Sequence, residues 1–129
     1  MSVQYLIDRD GSIFQLMPDS WMGRHVIGLN HCAIGIENVG GLNGKDDLTE
    51  EQLAANIFLV RHIKKKHPGV EYLIGHHEYR KFEGHSLWLE KDSGYRTVKT
   101  DPGDGFMSRL GGIFPELRKT LPTASALPL

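Results

Sequence analysis

The sequence predicts an α/β domain in which a central mixed β-sheet is flanked by helices. Short apolar or alternating runs indicate strands at residues 3–7, 12–16, 32–39 and 71–74. Apolar residues at helical spacing indicate one helix after residue 49 and a second near the C-terminus. Because strands and helices are interleaved along the chain, we expect a sheet covered by helices. At 129 residues the chain is long enough for one domain with a core.

The composition excludes several classes of protein. The net charge is −1 and 24% of the residues are charged, so we expect no nucleic-acid partner. No apolar run is long enough to cross a membrane, and the apolar stretch before Asp8 is too short for a signal peptide. Cys32 is the sole cysteine, so no intrachain disulfide can form. The oligomeric state stays open. So does the compartment, which is periplasmic or extracellular if a signal peptide lies upstream and cytoplasmic otherwise.

The first two strands are expected to form a β-hairpin. The segment Asp8-Arg9-Asp10-Gly11 separates them, and glycine tolerates the positive φ that such turns need. The third run, at 32–39, is mostly apolar and suits a central strand, in which Gly35 would allow another group to approach closely. Glu37 stands in this run, and a buried carboxylate is costly unless it is paired or functional.

A capped helix is predicted after Thr49. Thr49 is the expected N-cap, Gln52 completes a capping box, and Pro68-Gly69 ends the helix. Its apolar face is expected to comprise Leu53, Ala54, Ile57, Phe58, Val60 and Ile63. The final helix is expected from the apolar residues Met107, Leu110, Ile113, Phe114 and Leu117, with disturbance from Gly111-Gly112 and Pro115.

The candidate site lies where the run 71–74 meets Gly75-His76, since open α/β sheets place their sites at the carboxyl ends of strands. Zinc accepts a neutral imidazole such as His76 and a carboxylate such as Asp101, and catalytic zinc has three protein ligands plus an open position. Each residue also has an ordinary interpretation, as a histidine bonded to backbone or as an aspartate that starts a turn before proline. If the backbone stays extended there, His77 points away from the side that His76 faces, and we expect it to pack or to support the site.

Two further residues suit hydrolysis at such a centre. Glu37 is a candidate general base for an activated water. Lys99 stands two residues before Asp101, so in an extended segment it would face the same side. An ammonium group there would stabilise developing negative charge.

Five segments, in this order, resemble the type 2 N-acetylmuramoyl-L-alanine amidases, the zinc family that includes the peptidoglycan recognition proteins. The segments are residues 5–16, His25, residues 33–40, residues 75–78 and residues 99–103. The resemblance extends over residues 2 to about 107 and implies an amidase-like domain at 1–118 followed by a C-terminal tail at 119–129. It also implies Zn²⁺ as cofactor, peptidoglycan or muropeptide as substrate, and hydrolysis of the amide between N-acetylmuramic acid and L-alanine.

The resemblance also implies a role for each matched residue. His76 and Asp101 fall on zinc ligands, Glu37 on the catalytic carboxylate and Lys99 on the lysine that supports the transition state. His25 falls on a histidine that contacts substrate. In the long loop between His77 and Gly105, Trp88 is a further candidate for substrate contact, with packing as the alternative.

The third zinc ligand is not found among the matched residues. In the family it precedes the hairpin on a separate strand, so one expectation is an N-terminally truncated domain, a fragment of a longer amidase, with an exposed sheet edge. The other expectation is that His25 or His85 completes the metal site. If the ligand is lacking, the chain would be a non-catalytic peptidoglycan-binding module or an inactive fragment.

Overall fold

The computed structural model of the protein describes residues 2–118, so the tail expected at 119–129 lies outside the described residues. It contains three strands, β1 (Tyr5–Ile7), β2 (Ile13–Gln15) and β3 (Ile36–Asn38). Two α-helices follow, α1 (Glu50–Lys66) and α2 (Asp104–Ile113). Short 3₁₀ helices lie at Asn30–Cys32, Leu42–Gly44 and His76–Phe82. In the part of the chain described, no helix is long and apolar enough to span a membrane.

The three strands form one mixed sheet, as predicted, in the order β2-β1-β3. The expectation of a central strand within 32–39 is wrong for the described residues, because β1 is central and β3 pairs on one side only. β1 pairs antiparallel with β2, and Leu6 lies opposite Phe14. The hairpin turn is closed by the Asp8 N–H, which donates to the Ser12 carbonyl at 2.9 Å, and Gly11 takes a φ of 88°. β1 also pairs parallel with β3, which places Leu6 opposite Glu37. Within residues 2–118, β3 has no strand on its other side, so that edge of the sheet is open.

The prediction of a buried strand at 71–74 is wrong. None of its four residues is fully buried, and Tyr72 forms only an isolated parallel bridge with Arg118. The Leu73 N–H donates to the Arg118 carbonyl at 2.9 Å. This run therefore pairs with the segment that follows α2 and does not join the sheet.

The N-terminus of α1 has the predicted capping box. The Thr49 hydroxyl accepts from the Gln52 N–H at 3.1 Å, and the Gln52 side-chain carbonyl accepts from the Thr49 N–H at 2.9 Å. Two of the backbone donors that a helix end leaves free are thereby satisfied.

The face of α1 that packs on the sheet differs from the predicted one. Ala54 is exposed and Phe58 is 65% exposed, whereas Gln52 and Asn56 are buried. The Gln52 amide donates to the Val39 carbonyl at 2.8 Å, and the Asn56 amide donates to the Asn38 side chain at 2.7 Å. Because these bonds satisfy the buried amides, Gln52 and Asn56 can lie on the buried face of α1. The apolar pattern of the sequence had predicted a different buried face.

The helices and the sheet enclose the main core. α1 and α2 share one cluster, which comprises Leu53, Val60, Phe106, Met107, Leu110, Phe114 and Leu117. β1 and α1 share a second cluster, which comprises Tyr5, Ile7, Ala55, Leu59 and Ile63. α2 runs through Gly111 and Gly112 and ends before Pro115, and Ile113 is 45% exposed in place of its expected core position.

A third cluster, Val26, Leu29, Tyr79 and Phe82, joins the loop after the hairpin to the 3₁₀ helix His76–Phe82. This contact brings the two chain segments that carry His25 and His76 together.

The carboxylate of Asp19 fastens the loop after β2 to β1 and α1. It accepts from the Tyr5 hydroxyl at 2.5 Å and lies 2.9 Å from His67 Nε2 and 3.6 Å from Lys66 Nζ. Burial, together with the hydrogen bond to Asp19, raises the pKa of Tyr5 to about 12 from 10.0. The neutral phenol is thus favoured in the folded state. Its contribution to the free energy of unfolding is fully present below pH 10 and is lost as the pH rises through 12.

We therefore expect Tyr5→Phe to remove an alkaline destabilisation. Between pH 10 and 12 the wild type should lose about 1–3 kcal/mol more of its free energy of unfolding than the variant, because only the wild type holds a phenol with a raised pKa. Urea unfolding across this range measures the difference, with Tyr95→Phe at a largely exposed site as the matched control. Parallel stability curves for the wild type and Tyr5→Phe would contradict this assignment.

Candidate active site

Four titratable side chains from separate segments line one small cavity. His25, Glu37, His76 and Asp101 surround a volume of about 120 Å³ together with apolar side chains. Sequence analysis singled out all four, and the structure brings them together. His76 and Asp101 also line an adjoining groove of about 1060 Å³ that runs past β3, α1 and α2.

The imidazole of His25 is held between two glycines. A Cβ at Gly35 would lie 2.8 Å from the Cγ and Nδ1 atoms of His25, and one at Gly23 would lie 2.9 Å from its Cδ2. The backbone N–H of His25 donates to Asn30 Oδ1 at 2.9 Å. The close approach predicted at Gly35 is therefore confirmed, and the group that approaches is His25.

The Nε2 atom of His25 is buried and has no hydrogen-bond partner among the described residues. Burial lowers the pKa of His25, and the charge of His76 adds to this effect, while a hydrogen bond to the Ala33 carbonyl opposes it. A buried polar atom without a partner costs about 1–3 kcal/mol. A bound group would supply the missing contact, which makes this atom a candidate ligand contact.

His76 and Asp101 form the closest pair in the cavity. The Nδ1 atom of His76 lies 3.5 Å from Oδ2 of Asp101. The hydrogen bond and charge of His76, with a smaller effect from Lys99, lower the pKa of Asp101 although burial opposes the shift. Asp101 therefore stays ionised at neutral pH, as a metal ligand must.

His77 fixes the position of Asp101, in line with the supporting role expected for it. Its backbone N–H donates to the Asp101 carbonyl at 3.0 Å, and its Nδ1 lies 3.2 Å from the same oxygen. Its Nε2 lies 2.7 Å from Oδ1 of Asp104 at the start of α2.

Two neighbouring residues that sequence analysis did not single out support the same region. The buried carboxylate of Glu78 accepts from the Gly75 N–H at 2.9 Å and so fixes the turn that precedes His76. The buried Tyr79 hydroxyl donates to the Thr97 carbonyl at 2.5 Å and accepts from the Thr97 N–H at 2.9 Å. The three-residue spacing of Gly75 and Glu78 was a readable signal for the first bond, whereas nothing local indicated the second.

Glu37 faces this pair from β3. Burial raises its pKa, the charge of Asp101 raises it further, and the charges of His76 and Lys99 oppose both effects. Glu37 and Lys99 thus lie within electrostatic reach of each other and of the His76–Asp101 pair.

Trp88 and His85 lie outside the small cavity. The Trp88 and Tyr79 rings are stacked with their centroids 6.3 Å apart, and the Arg96 guanidinium lies 4.8 Å from the Trp88 centroid. The Trp88 Nε1–H donates to the Glu90 carbonyl at 2.8 Å. Its predicted contact with substrate stays a prediction. His85 Nε2 lies 3.3 Å from the Tyr72 hydroxyl, and the residue lines the larger groove.

The candidate metal ligands are of the chemical types that zinc prefers, but they are fewer than the three that a catalytic zinc site needs. An imidazole and a carboxylate are ligands that zinc prefers, and the partnerless Nε2 of His25 lies in a side chain that lines the same cavity. Within residues 2–118, however, no three side chains of His, Cys, Asp or Glu surround one metal position. The described part of the chain therefore offers His76 and Asp101 as a pair of candidate ligands and no complete set of three.

Comparisons with known proteins identify the family and the fold of the chain. The family model described as N-acetylmuramoyl-L-alanine amidase matches residues 1–104. The solved structure of the N-acetylmuramoyl-L-alanine amidase LysC from Clostridium intestinale URNW is similar in fold, with a TM-score of 0.64 and 22% sequence identity. The match covers 90% of this chain and 65% of LysC, so the chain spans less than two thirds of that protein's length. No curated protein matches the chain.

We expect Gly35→Ala to disrupt the cavity. The new methyl would lie 2.8 Å from the His25 ring, so the ring or β3 must move, at a cost of about 1–3 kcal/mol in unfolding free energy. Gly112→Ala in α2 is the matched control, because a Cβ there meets nothing within 4 Å and alanine favours helix. Chemical denaturation measures both variants, and equal stabilities would contradict the tight packing of His25.

Proposed function

Because the chain belongs to the N-acetylmuramoyl-L-alanine amidase family, we propose that it is a zinc-dependent amidase acting on peptidoglycan or muropeptides. The bond cleaved is the amide between the lactyl group of N-acetylmuramic acid and L-alanine of the stem peptide. The observation that carries the proposal is the convergence of His25, Glu37, His76 and Asp101 on one cavity within the residues that the family model matches.

In this proposal His76 and Asp101 hold the zinc ion. A bound zinc supplies Lewis-acid polarisation of the scissile carbonyl and lowers the pKa of water. His77 contributes by holding the Asp101 backbone, a support of the kind that orients metal ligands.

Glu37 is the proposed general base and acid. It takes a proton from the attacking water and delivers it to the alanine nitrogen as the C–N bond breaks, which releases the muramic carboxylate and a free stem peptide. Its raised pKa suits both steps, since burial moves the pKa of Glu37 from its ordinary value toward the working pH, where proton transfer is more efficient.

Lys99 and His25 are the proposed contacts to the substrate. The Lys99 ammonium stabilises the negative charge that develops on the carbonyl oxygen. The buried Nε2 of His25 gains a hydrogen bond from a substrate group in the cavity, and this bond satisfies an atom that otherwise lacks a partner.

A non-catalytic peptidoglycan-binding module is the second candidate function. One observation favours it, namely that the residues described contain no group of three His, Cys, Asp or Glu side chains that could hold a metal ion. A module of this kind would bind cell-wall sacculi without releasing stem peptide. The amidase would bind zinc in stoichiometric amount and would release stem peptide.

We expect Glu37→Gln to lower amidase turnover at least about 100-fold, because glutamine cannot accept the proton. Incubation with zinc and muropeptides, followed by chromatography of released stem peptide, measures the rate. Glu51→Gln, at an exposed site on α1 that lines neither the cavity nor the groove, is the matched control and should retain full activity. Release at the wild-type rate by Glu37→Gln would remove Glu37 from the mechanism, and no release by the wild type would favour the binding module.

We expect His76→Ala and Asp101→Asn each to weaken zinc binding at least about tenfold, because each removes one of few ligands. Isothermal titration calorimetry with zinc chloride measures the affinity. His62→Ala on α1 controls for loss of a histidine away from the cavity and should leave the affinity unchanged. Equal zinc affinity in all three variants would contradict the assigned pair.

A further inference from the structure

An exposed aromatic residue lies on the larger groove. Trp21 is 64% exposed and its neighbour Met22 is 63% exposed, and both line the groove that also contains His76 and Asp101. Exposed apolar side chains grouped beside a cavity mark binding sites more often than isolated ones do.

The backbone of Trp21 is fixed although its side chain is exposed. The Trp21 N–H donates to the Pro18 carbonyl at 3.1 Å, and its carbonyl accepts from the Gln4 side chain at 2.8 Å. Gln4 is fully buried, so this anchor belongs to the folded core. The backbone that carries the indole is therefore held at the groove before any ligand arrives, which reduces the entropic cost of binding.

The two tryptophans of the chain differ in this respect. Trp88 has its ring occupied by Tyr79 and Arg96 and its Nε1–H bonded to the Glu90 carbonyl. Packing thus accounts for Trp88 but not for Trp21.

We propose that Trp21 is a platform on which a sugar ring of the glycan part of the substrate stacks. The apolar C–H face of a pyranose ring packs on the flat indole, and the polar groups of Ser20 and His31, which line the same groove, can bond its hydroxyls. The inference rests on the proposed assignment to peptidoglycan, because this polymer, as substrate of the amidase or as ligand of the binding module, carries an N-acetylated sugar beside the amide. Trp21 is thus a residue that determines specificity for the glycan.

The two indole N–H resonances of ¹⁵N-labelled protein provide the test. The probe is the peptide-free disaccharide N-acetylglucosaminyl-N-acetylmuramic acid, which has no bond that the enzyme can cleave. We expect titration to shift the Trp21 resonance, identified by its loss in Trp21→Ala, and to leave that of Trp88 in place. Trp21→Ala should raise the dissociation constant, followed by backbone resonances, at least about tenfold, whereas Trp21→Phe keeps an aromatic face and most of the affinity.

Phe58→Ala is the matched control, because Phe58 is an equally exposed aromatic residue on α1 that does not line the groove. It should bind the disaccharide like the wild type. The proposal is overturned if saturating disaccharide leaves the Trp21 resonance unmoved, if Trp21→Ala binds as tightly as the wild type, or if only free stem peptide shifts the resonance.

Glu37→Gln separates this inference from the proposed function. The variant should bind the disaccharide with unchanged affinity while it loses hydrolysis. If the wild type binds the sugar but does not hydrolyse muropeptides, the Trp21 assignment is sustained and the amidase is contradicted. If it hydrolyses them and the Trp21 resonance does not shift, the amidase is sustained and the Trp21 assignment is overturned.

Discussion

The buried side-chain amide of Gln4 connects the two segments that form one wall of the candidate site. Its Nε2 donates to the Trp21 carbonyl at 2.8 Å and its Oε1 accepts from the Gly35 N–H at 2.7 Å. If the loop shifted relative to β3, one of these groups would be buried without a partner, at a cost of about 1–3 kcal/mol. The amide therefore keeps His25 against Gly35, two residues from Glu37, and keeps Trp21 at the groove.

The opposite wall is built without strands. His76 begins a 3₁₀ helix, and Asp101 lies in an irregular segment before α2. Hydrogen bonds between distant residues take the place of a sheet ladder there, chiefly those from His77 to the Asp101 carbonyl and from Tyr79 to Thr97. The positions of His76 and Asp101 therefore depend on these bonds. Within the described residues no further strand pairs with the edge of β3 to support this wall.

The parts of the fold that depend on local sequence could be predicted, and those that depend on distant partners could not. The hairpin turn at Gly11 and the capping box at Thr49 follow from residues close in sequence, and both are present. The buried face of α1 was partly misassigned because Gln52 and Asn56 are buried by bonds to strand residues that no helical period encodes. Of the site, the ordered motifs indicated the four cavity residues, whereas Gln4 and Tyr79, whose partners are 17 and 18 residues away, gave no signal.

The pKa values of the two carboxylates in the cavity shift in opposite directions, and the main causes differ. The hydrogen bond from His76 is the main cause that lowers the pKa of Asp101, and burial is the main cause that raises the pKa of Glu37. The ionised Asp101 raises the pKa of Glu37 further, so fixing the charge on one carboxylate increases the proton affinity of the other. Carboxylates whose pKa values are separated in this way suit the roles proposed for them, because the ionised Asp101 is available to a cation while Glu37 holds a proton more readily. His76 acts on both carboxylates in the same direction: it is the main cause of the lowered pKa of Asp101, and its charge opposes the raised pKa of Glu37.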